Sequence, residues 1–429
     1  MSTNGDLWKT VPIKTLYRGL YDGPHATPKL SDEGPIFLGI PNVREDGGLD
    51  LAKVRHIAEE DFPKWTKRIL PQPGDIVFSY EATLHRYAII PEGFRGCLGR
   101  RMALIRPNPG EVESRYLFYY FLSDRWHSTV ARHILIGATV DRIPLTHFPQ
   151  FEVTIPPPPI QRKIAAILSA YDDLIENNQR RIAILEEMAH NLYREWFVEL
   201  RFPGHEHVRV VDGVPEGWEV TTLGGISDHV GGVIQTGPFG SQLHQSDYKS
   251  EGVPVVMPKN LVDGRISADG IARVGVEDAA RLSRHRLRPG DIVYGRRGDI
   301  GRRALVTYRE EGWLCGTGSL LLRLGQTVID PVLLYLYLGK SEVATWISNK
   351  AIGATMPNLN TGILKSIVTV IPPRELQFQA TMLLNPIFEL IQTLNTKNIN
   401  LRRTRDLLLP RLINGELDVA ELAIAGVVE

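Results

Sequence analysis

Between Arg281 and Arg303 the chain reads RLSRHRLRPGDIVYGRRGDIGRR. Here Arg281, Arg284, Arg286, Arg288, Arg296, Arg297, Arg302 and Arg303 are offset only by Asp291 and Asp299. A planar guanidinium offers forked donors that match phosphate oxygens and guanine edges, so such a cluster suits nucleic-acid recognition. A solvated surface with internal ion pairs is the competing reading. Whole-chain charge does not decide, because Lys plus Arg and Asp plus Glu each number 49. Other chemistry finds less support. Asp247-Tyr248-Lys249, with Asp228 upstream, imitates the acid-x-lysine group that holds a divalent cation in nucleases, but such triplets also arise by chance. Gly339-Lys340-Ser341 ends like a phosphate loop, yet the earlier glycine of that motif is Leu334 here and the segment reads as helix interior. The Asn/Asp-Pro-Pro-aromatic turn of a methyltransferase is missing. Histidines such as His205, His207, His244 and His285 form no i, i+4 pair beside a nucleophile. Neither a catalytic residue nor a metal ligand is therefore assigned.

The elements that must position the arginines come from a chain of 429 residues, long enough for two or three cores. Apolar content of 43% and charged content of 23% are ordinary for a globular protein. No uncharged apolar run approaches the roughly 20 residues needed to span a bilayer. MSTNGDLWKT carries no secretory pattern, so a cytoplasmic location without membrane contact is expected. Cys97 and Cys315 lie in glycine-rich RGCLGR and LCGTG without metal or disulfide spacing, and are expected to be small buried thiols.

Self-similarity organises the rest. Ile155 and Ile371 are 216 apart, and PGDIV (from Pro73 and Pro289), IGAT (from Ile136 and Ile352) and Pro-Pro with Gln161 or Gln377 keep that offset. With small shifts, Gly23-Pro24 matches Gly237-Pro238, and GIPNV at Asn42 matches MPKNL at Asn260. The chain is a tandem duplication of a unit roughly 200 residues long. Each unit begins with short β-like runs (DIVFSY, MALIR; DIVYG, SLLLRL) between Gly, Pro and Asp turn signals. It continues with helix-like YLFYYFLSDRW or VLLYLYLGKSEVATWI and ends at prolines that start a long helix.

The two helices carry narrow apolar stripes. The first runs through Ile160, Ile164, Ile167, Tyr171, Leu174, Asn178, Ile182, Leu185, Met188, Leu192 and Trp196. The second runs through Leu376, Ala380, Leu383, Ile387, Leu390, Leu394, Asn398, Leu401, Thr404, Leu408 and Leu412. Stripes this narrow want a long helical partner, each other, over roughly 60 Å. Asn178 and Asn398 are either buried amides that fix register or solvent-facing seam positions. Pro386 should bend or locally break the second helix. The fold class is thus mixed α/β: two globular domains separated by a long antiparallel two-helix coiled coil in a pseudo-twofold tandem repeat. The expected boundaries are 1–157 for domain 1, 158–202 for the central helix, 203–373 for domain 2, 374–414 for the second helix and 415–429 for a tail.

GPFGSQLHQSDYKSEGVPVV, PGDIVYGRRGDIGR, IGATMPNLN, IPPRELQ and LRRTRDLLLPRLINGEL together resemble the DNA specificity subunit of Type I restriction-modification systems. DGPHATP and EEMAHNLYREWFVEL of the first copy fit the same family. The resemblance implies two target recognition domains, each reading half of a split, asymmetric site on double-stranded DNA, joined by helices that act as ruler and docking platform. It also implies a non-catalytic chain without a cofactor of its own. Two methyltransferase subunits would bring S-adenosylmethionine, and restriction subunits would bring ATP-driven cleavage. Where the second copy has GRRGDIGRRALV the first has YEATLHRYAII, lacking the basic glycine-rich turn.

Segments common to both copies cannot distinguish two half-sites. Thr139, Thr355 and the Gly-Pro turns are therefore expected to position backbone or serve folding. Specificity is expected in the divergent stretches about 44–70, 79–101, 241–288 and 295–303. Their DNA-contacting candidates are Arg44, Lys64, Lys67, Arg68 and Arg86, then Gln242, His244, Lys259, Asn260, Arg284, Arg296, Arg297 and Arg302. Helices of this length favour half-sites about one duplex turn apart, roughly 34 Å between centres. A related chain serving a fused restriction-methylation enzyme, a stand-alone repressor and a coiled-coil scaffold are the other readings.

Overall fold

In the computed structural model, residues 8–134, 140–239, 242–296, 301–351 and 358–424 are described. The chain forms two compact units, residues 1–180 with 395–429 and residues 181–394.

Unit 1 holds β1 (Lys9–Pro12), β2 (Tyr17–Asp22), β3 (Leu30–Leu38), β4 (Arg55–Ile57), β5 (Ile76–Ser79), β6 (Tyr87–Ile89), β7 (Gly96–Leu98), β8 (Met102–Pro107) and β9 (Glu152–Ile155). Its helices are α1 (Phe62–Trp65), α2 (Ser114–Phe121), α3 (Asp124–Ala131) and the first half of α4 (Pro158–Phe197). One antiparallel sheet has the order β2-β8-β5-β6, a second β4-β3-β7 with β3 and β7 parallel, and β1 pairs with β9. Alternating residues of the first sheet enter an aromatic core around Trp126, whose Nε1 donates to Tyr87 Oη at 2.8 Å, with Phe78, Phe121, Phe148 and Phe151.

Unit 2 repeats this plan. Its strands are β10 (Val210–Val211), β11 (Val214–Pro215), β12 (Glu219–Thr222), β13 (Val233–Thr236), β14 (Tyr248–Lys249), β15 (Val253–Val256), β16 (Leu261–Val262), β17 (Arg265–Ile266) and β18 (Ala272–Val274). They continue with β19 (Ile292–Gly295), β20 (Arg303–Leu305), β21 (Leu314–Cys315), β22 (Ser319–Arg323) and β23 (Val368–Ile371). Its own helices are α5 (Leu223–Val230), α6 (Val276–Arg281), α7 (Pro331–Tyr337), α8 (Ser341–Lys350) and α9 (Thr361–Lys365), and it contains the first part of α10 (Arg374–Ile413). β13-β22-β19-β20 mirrors β2-β8-β5-β6, the parallel pair β15-β21 mirrors β3-β7, and β12-β23 mirrors β1-β9. The core is aliphatic here, built on Leu320, Leu322, Ile292 and Leu334. Cys97 in β7 and Cys315 in β21 occupy corresponding strands, and burial pushes each thiol up to about 12. Neither is expected to react with a thiol reagent in the native state, and each should do so on unfolding; rapid labelling of the folded chain would contradict this packing.

The repeated motifs hold this frame. Asp75 and Asp291 of PGDIV are almost fully buried, and each accepts a backbone N–H three residues upstream, from Gln72 and Arg288, at 2.8 Å. Each also receives a two-pronged guanidinium, from Arg106 or Arg323. Gln161 and Gln377 staple the first turn of α4 and α10. Their Nε2 atoms donate to Pro156 O and Pro372 O at 2.8 Å, and their Oε1 atoms accept from Glu113 N at 3.0 Å and Asp330 N at 2.9 Å. The repeated join is thus a buried amide that ties strand exit, helix start and the loop before α2 or α7.

The long helices pack antiparallel within each unit. In unit 1, Asn178 Nδ2 donates to Asn398 Oδ1 at 2.8 Å with both residues buried, and Arg405 pairs with Asp172. In unit 2, Ile182 meets Ile391 and Leu394, and Ala189 meets Ala380 and Leu384. The amides are therefore register-fixing seam residues. Five stripe residues are corrected. Leu174, Met188, Leu383, Leu390 and Thr404 face solvent, and Ile175, Ala189, Leu384 and Ile391 carry the seam in place of the four apolar ones. The expected break at Pro386 is also corrected, since α10 runs through it without interruption. Pro386 lies on the exposed side, where water can reach the Met382 carbonyl that lost its donor, while buried Leu384 and half-buried Ile387 pin the flanks. Gly339-Lys340 is a turn between α7 and α8, not helix interior.

Candidate nucleic-acid interface

In each unit, four loops meet at one end of the first sheet, and the same backbone bonds join them. The residue after β5 or β19 is Tyr80 or Arg296. Tyr80 N–H donates to Arg101 O at 3.2 Å, and Arg296 N–H donates to Gly318 O at 2.8 Å. Their carbonyls accept from Ile143 N at 2.8 Å and Leu359 N at 2.9 Å. Hairpin closure is shared too, with Ser79 N to Arg86 O at 3.0 Å and Gly295 N to Arg302 O at 2.8 Å. Gly99 N reaches Leu38 O at 2.7 Å, and Gly316 N reaches Val256 O at 2.9 Å. The Gly-Pro turns join through Gly23 N to Met102 O at 2.8 Å and Gly237 N to Ser319 O at 2.9 Å. A Cβ on Gly23 or Gly237 would run into the carbonyl of Gly99 or Gly316. Gly237→Ala is therefore expected to destabilise unit 2 by about 1–3 kcal/mol, read by thermal melting; a loss below about 0.5 kcal/mol would contradict the close approach.

On this common frame the side chains differ. Arg296 Nε donates to Asn358 Oδ1 at 3.1 Å, whereas Tyr80 is buried. Burial pushes the Tyr80 phenol above its usual value, and the Asp22 and Glu81 carboxylates add to this, against Arg142 and Arg68. Glu81 Oε1 accepts from Arg101 Nε at 3.1 Å, and Glu81 bridges Arg142 across the backbone. At the hairpin tip Ala82 and His85 adopt left-handed φ of 72° and 60°, at positions offset by 216 from Gly298 and Gly301. The first copy thus reaches left-handed backbone in its hairpin without glycine.

The structure gathers Arg44, Arg68 and Arg86 around the first hairpin. Arg44 pairs with Asp46 at 3.0 Å, Arg86 with Glu45, and Arg68 with Asp22 of the Gly-Pro turn. Lys64 and Lys67 are exposed on and after α1. In unit 2, Arg296 and exposed Arg302 sit at the hairpin, and exposed Lys259 lies in the turn beside Gly318. Exposed Arg284 donates to His285 Nε2 at 3.0 Å. Gln242 is held through its carbonyl by Arg281, and His244 is exposed. Thr139, Arg297 and Thr355 lie outside the described residues. Asn260 does not point at a ligand: it is 1% exposed, and its Oδ1 accepts from Met257 N at 3.0 Å. Asn42 makes the same turn with Gly39 N at 3.1 Å, so this pair belongs to the frame. Arg86 and Arg302 occupy one hairpin position, and by the logic of difference they suit backbone positioning. Asp247 caps its own turn through His244 N at 2.8 Å, while Asp228 lies 4.0 Å from Lys365. Among the described residues no three metal-ligating groups converge. Sequence reasoning missed Glu81, Arg101, Arg142 and Asn358, whose relevance lies in contacts between distant loops.

A family model described as the Type I restriction modification DNA specificity domain matches residues 34–187. The chain is 28% identical over 380 residues to the Type I restriction enzyme MjaIX specificity subunit of Methanocaldococcus jannaschii, covering 86% of this chain and 83% of that one. It is 22% identical over 363 residues to the MjaVIII specificity subunit of the same organism, covering 83% and 82%. Its fold is similar to that of the Type I restriction-modification S subunit from M. genitalium, with a TM-score of 0.58 at 16% identity over 94% of this chain and 96% of that one. These likenesses extend well past the first copy into the second, so over most of its length the duplicated chain is similar to the specificity subunits of Type I restriction enzymes.

Proposed function

We propose that this chain is the non-catalytic specificity subunit of a Type I restriction-modification complex and that each domain reads one half of a bipartite, asymmetric site on double-stranded DNA. The observation that carries this is one backbone frame, built twice bond for bond, presenting different charged side chains from its loops. A duplicated scaffold with divergent tips suits two related readings of one ligand class. Residues 1–157 and 203–373 are assigned as the two target recognition domains. Arg44, Arg68, Arg86, Arg296 and Arg302 supply phosphate or base contacts, with Lys64, Lys67 and Lys259 adding charge at longer range.

Partners supply the chemistry: two methyltransferase subunits with S-adenosylmethionine, and ATP-driven restriction subunits, all in the cytoplasm. Leu174, Met188, Phe378, Met382, Leu383 and Leu407 of the long helices are 50–63% exposed, apolar surface of a kind that protein partners cover. Among the described residues no helix is long and apolar enough to cross a membrane. Mapping methylated adenines in cells that express the chain with its methyltransferase should return one split motif. Loss of methylation on deleting this chain is expected, whereas tight, specific DNA binding by the chain alone would instead favour a stand-alone repressor.

A further inference from the structure

The two domains differ in the polarity of what they present at one corner of the shared frame. In domain 2, Arg296 follows β19 with its guanidinium held at the Nε edge by Asn358 Oδ1, 3.1 Å away. In domain 1 the equivalent backbone position is Tyr80, which is buried, and the group that reaches the surface is the next side chain, Glu81. The Glu81 side chain is 23% exposed, and its carboxylate is fixed through Oε1 by Arg101. Arg101 is itself unusual. It adopts φ +78° in the turn where domain 2 places Gly318 at φ +81°. A side chain in that conformation is strained where glycine is not. The turn works with glycine in the second copy, so folding does not demand an arginine there. What Arg101 supplies is a cation that orients Glu81.

A fixed carboxylate is an acceptor, and near DNA it is repelled by phosphates, which leaves an exocyclic amino group as its favourable partner. A fixed guanidinium is the converse, a donor matched to guanine O6 and N7. We propose, resting on the reading of this chain as a specificity subunit, that Glu81 held by Arg101 reads a cytosine amino group in the first half-site, whereas Arg296 held by Asn358 reads a guanine in the second. Arg101 and Asn358 are positioning residues. Domain 1 thereby rejects at this position the base that domain 2 selects, because a guanine edge would set acceptor against acceptor.

The test uses the complex reconstituted with its methyltransferase subunits and a duplex library randomised across both half-sites, with methylation read by sequencing. Glu81→Ala should lower discrimination for cytosine at one position of the first half-site by about 10- to 100-fold and leave the second half-site unchanged. Glu81→Gln should move that preference towards adenine, because an amide both donates and accepts. Arg101→Gly, which matches the counterpart residue and suits the left-handed turn, should weaken the same single preference. Arg296→Ala should relax a guanine in the second half-site alone. A uniform loss of methylation across all sequences, the mark of a phosphate contact, would overturn the proposal, as would an unchanged motif in Glu81→Gln. Should Glu81→Ala fail to fold by thermal melting, Glu81→Gln and Arg101→Gly decide. A wild-type complex that returns no split motif would instead sink the underlying reading.

Discussion

Replacing Arg323 by alanine is expected to destabilise unit 2 by about 3–5 kcal/mol, the cost typical of breaking a buried ion pair from one side. Asp291 is 2% exposed and receives Arg323 Nε at 2.8 Å and Nη2 at 2.5 Å, in the two-pronged geometry that binds carboxylates most strongly. Arg323 Nη2 also donates to Arg286 O at 2.6 Å, so truncation strands a carbonyl as well as a charge. The carboxylate would retain one backbone donor, Arg288 N, which is too little to offset its lost hydration. Arg106→Ala should act alike in unit 1, where Asp75 is held at 2.9 and 2.8 Å. Urea unfolding monitored separately for each unit would test this. A loss below about 1 kcal/mol in both units would mean the pair is no anchor.

Gln377→Leu is expected to cost about 2–4 kcal/mol, from a buried side chain whose amide serves three backbone groups. Its Nε2 donates to Pro372 O at 2.8 Å and Val328 O at 2.9 Å, and its Oε1 accepts from Asp330 N at 2.9 Å. Leucine fills similar space, so the loss would report stranded backbone groups and not a cavity. Amide exchange should quicken at Asp330 and in the first turn of α10 while β19 and β22 stay protected. Unchanged exchange at Asp330 would contradict the staple.

These two predictions concern residues that the repeat itself exposes. Asp75 with Asp291 and Gln161 with Gln377 recur at one offset because each binds main chain, and main-chain geometry is what a duplicated frame must keep. The same logic, applied strictly, would have removed Asn260 from the base-contacting candidates, since its partner Asn42 stands in the matching turn. The seam was less legible. Leu174 and Ile175, Met188 and Ala189, Leu383 and Leu384, and Leu390 and Ile391 are adjacent apolar pairs, so two phases of a helical stripe fit equally well. Only the partner helix chooses, and it chose the second member of each pair. Pro386 was visible as a hazard, but its exposure was not. The left-handed turn at Arg101 and its bond to Glu81 leave no local mark, because they link residues twenty positions apart through a loop cluster.

The central claim is that two copies of one frame read two separate DNA words while other polypeptides modify them. The most direct measurement replaces residues 219–371, from β12 through β23, with residues 9–155, from β1 through β9, and maps the adenines methylated in cells with the native methyltransferase. A site whose two halves carry the first domain's word is predicted. A motif that retains the original second word would contradict the account.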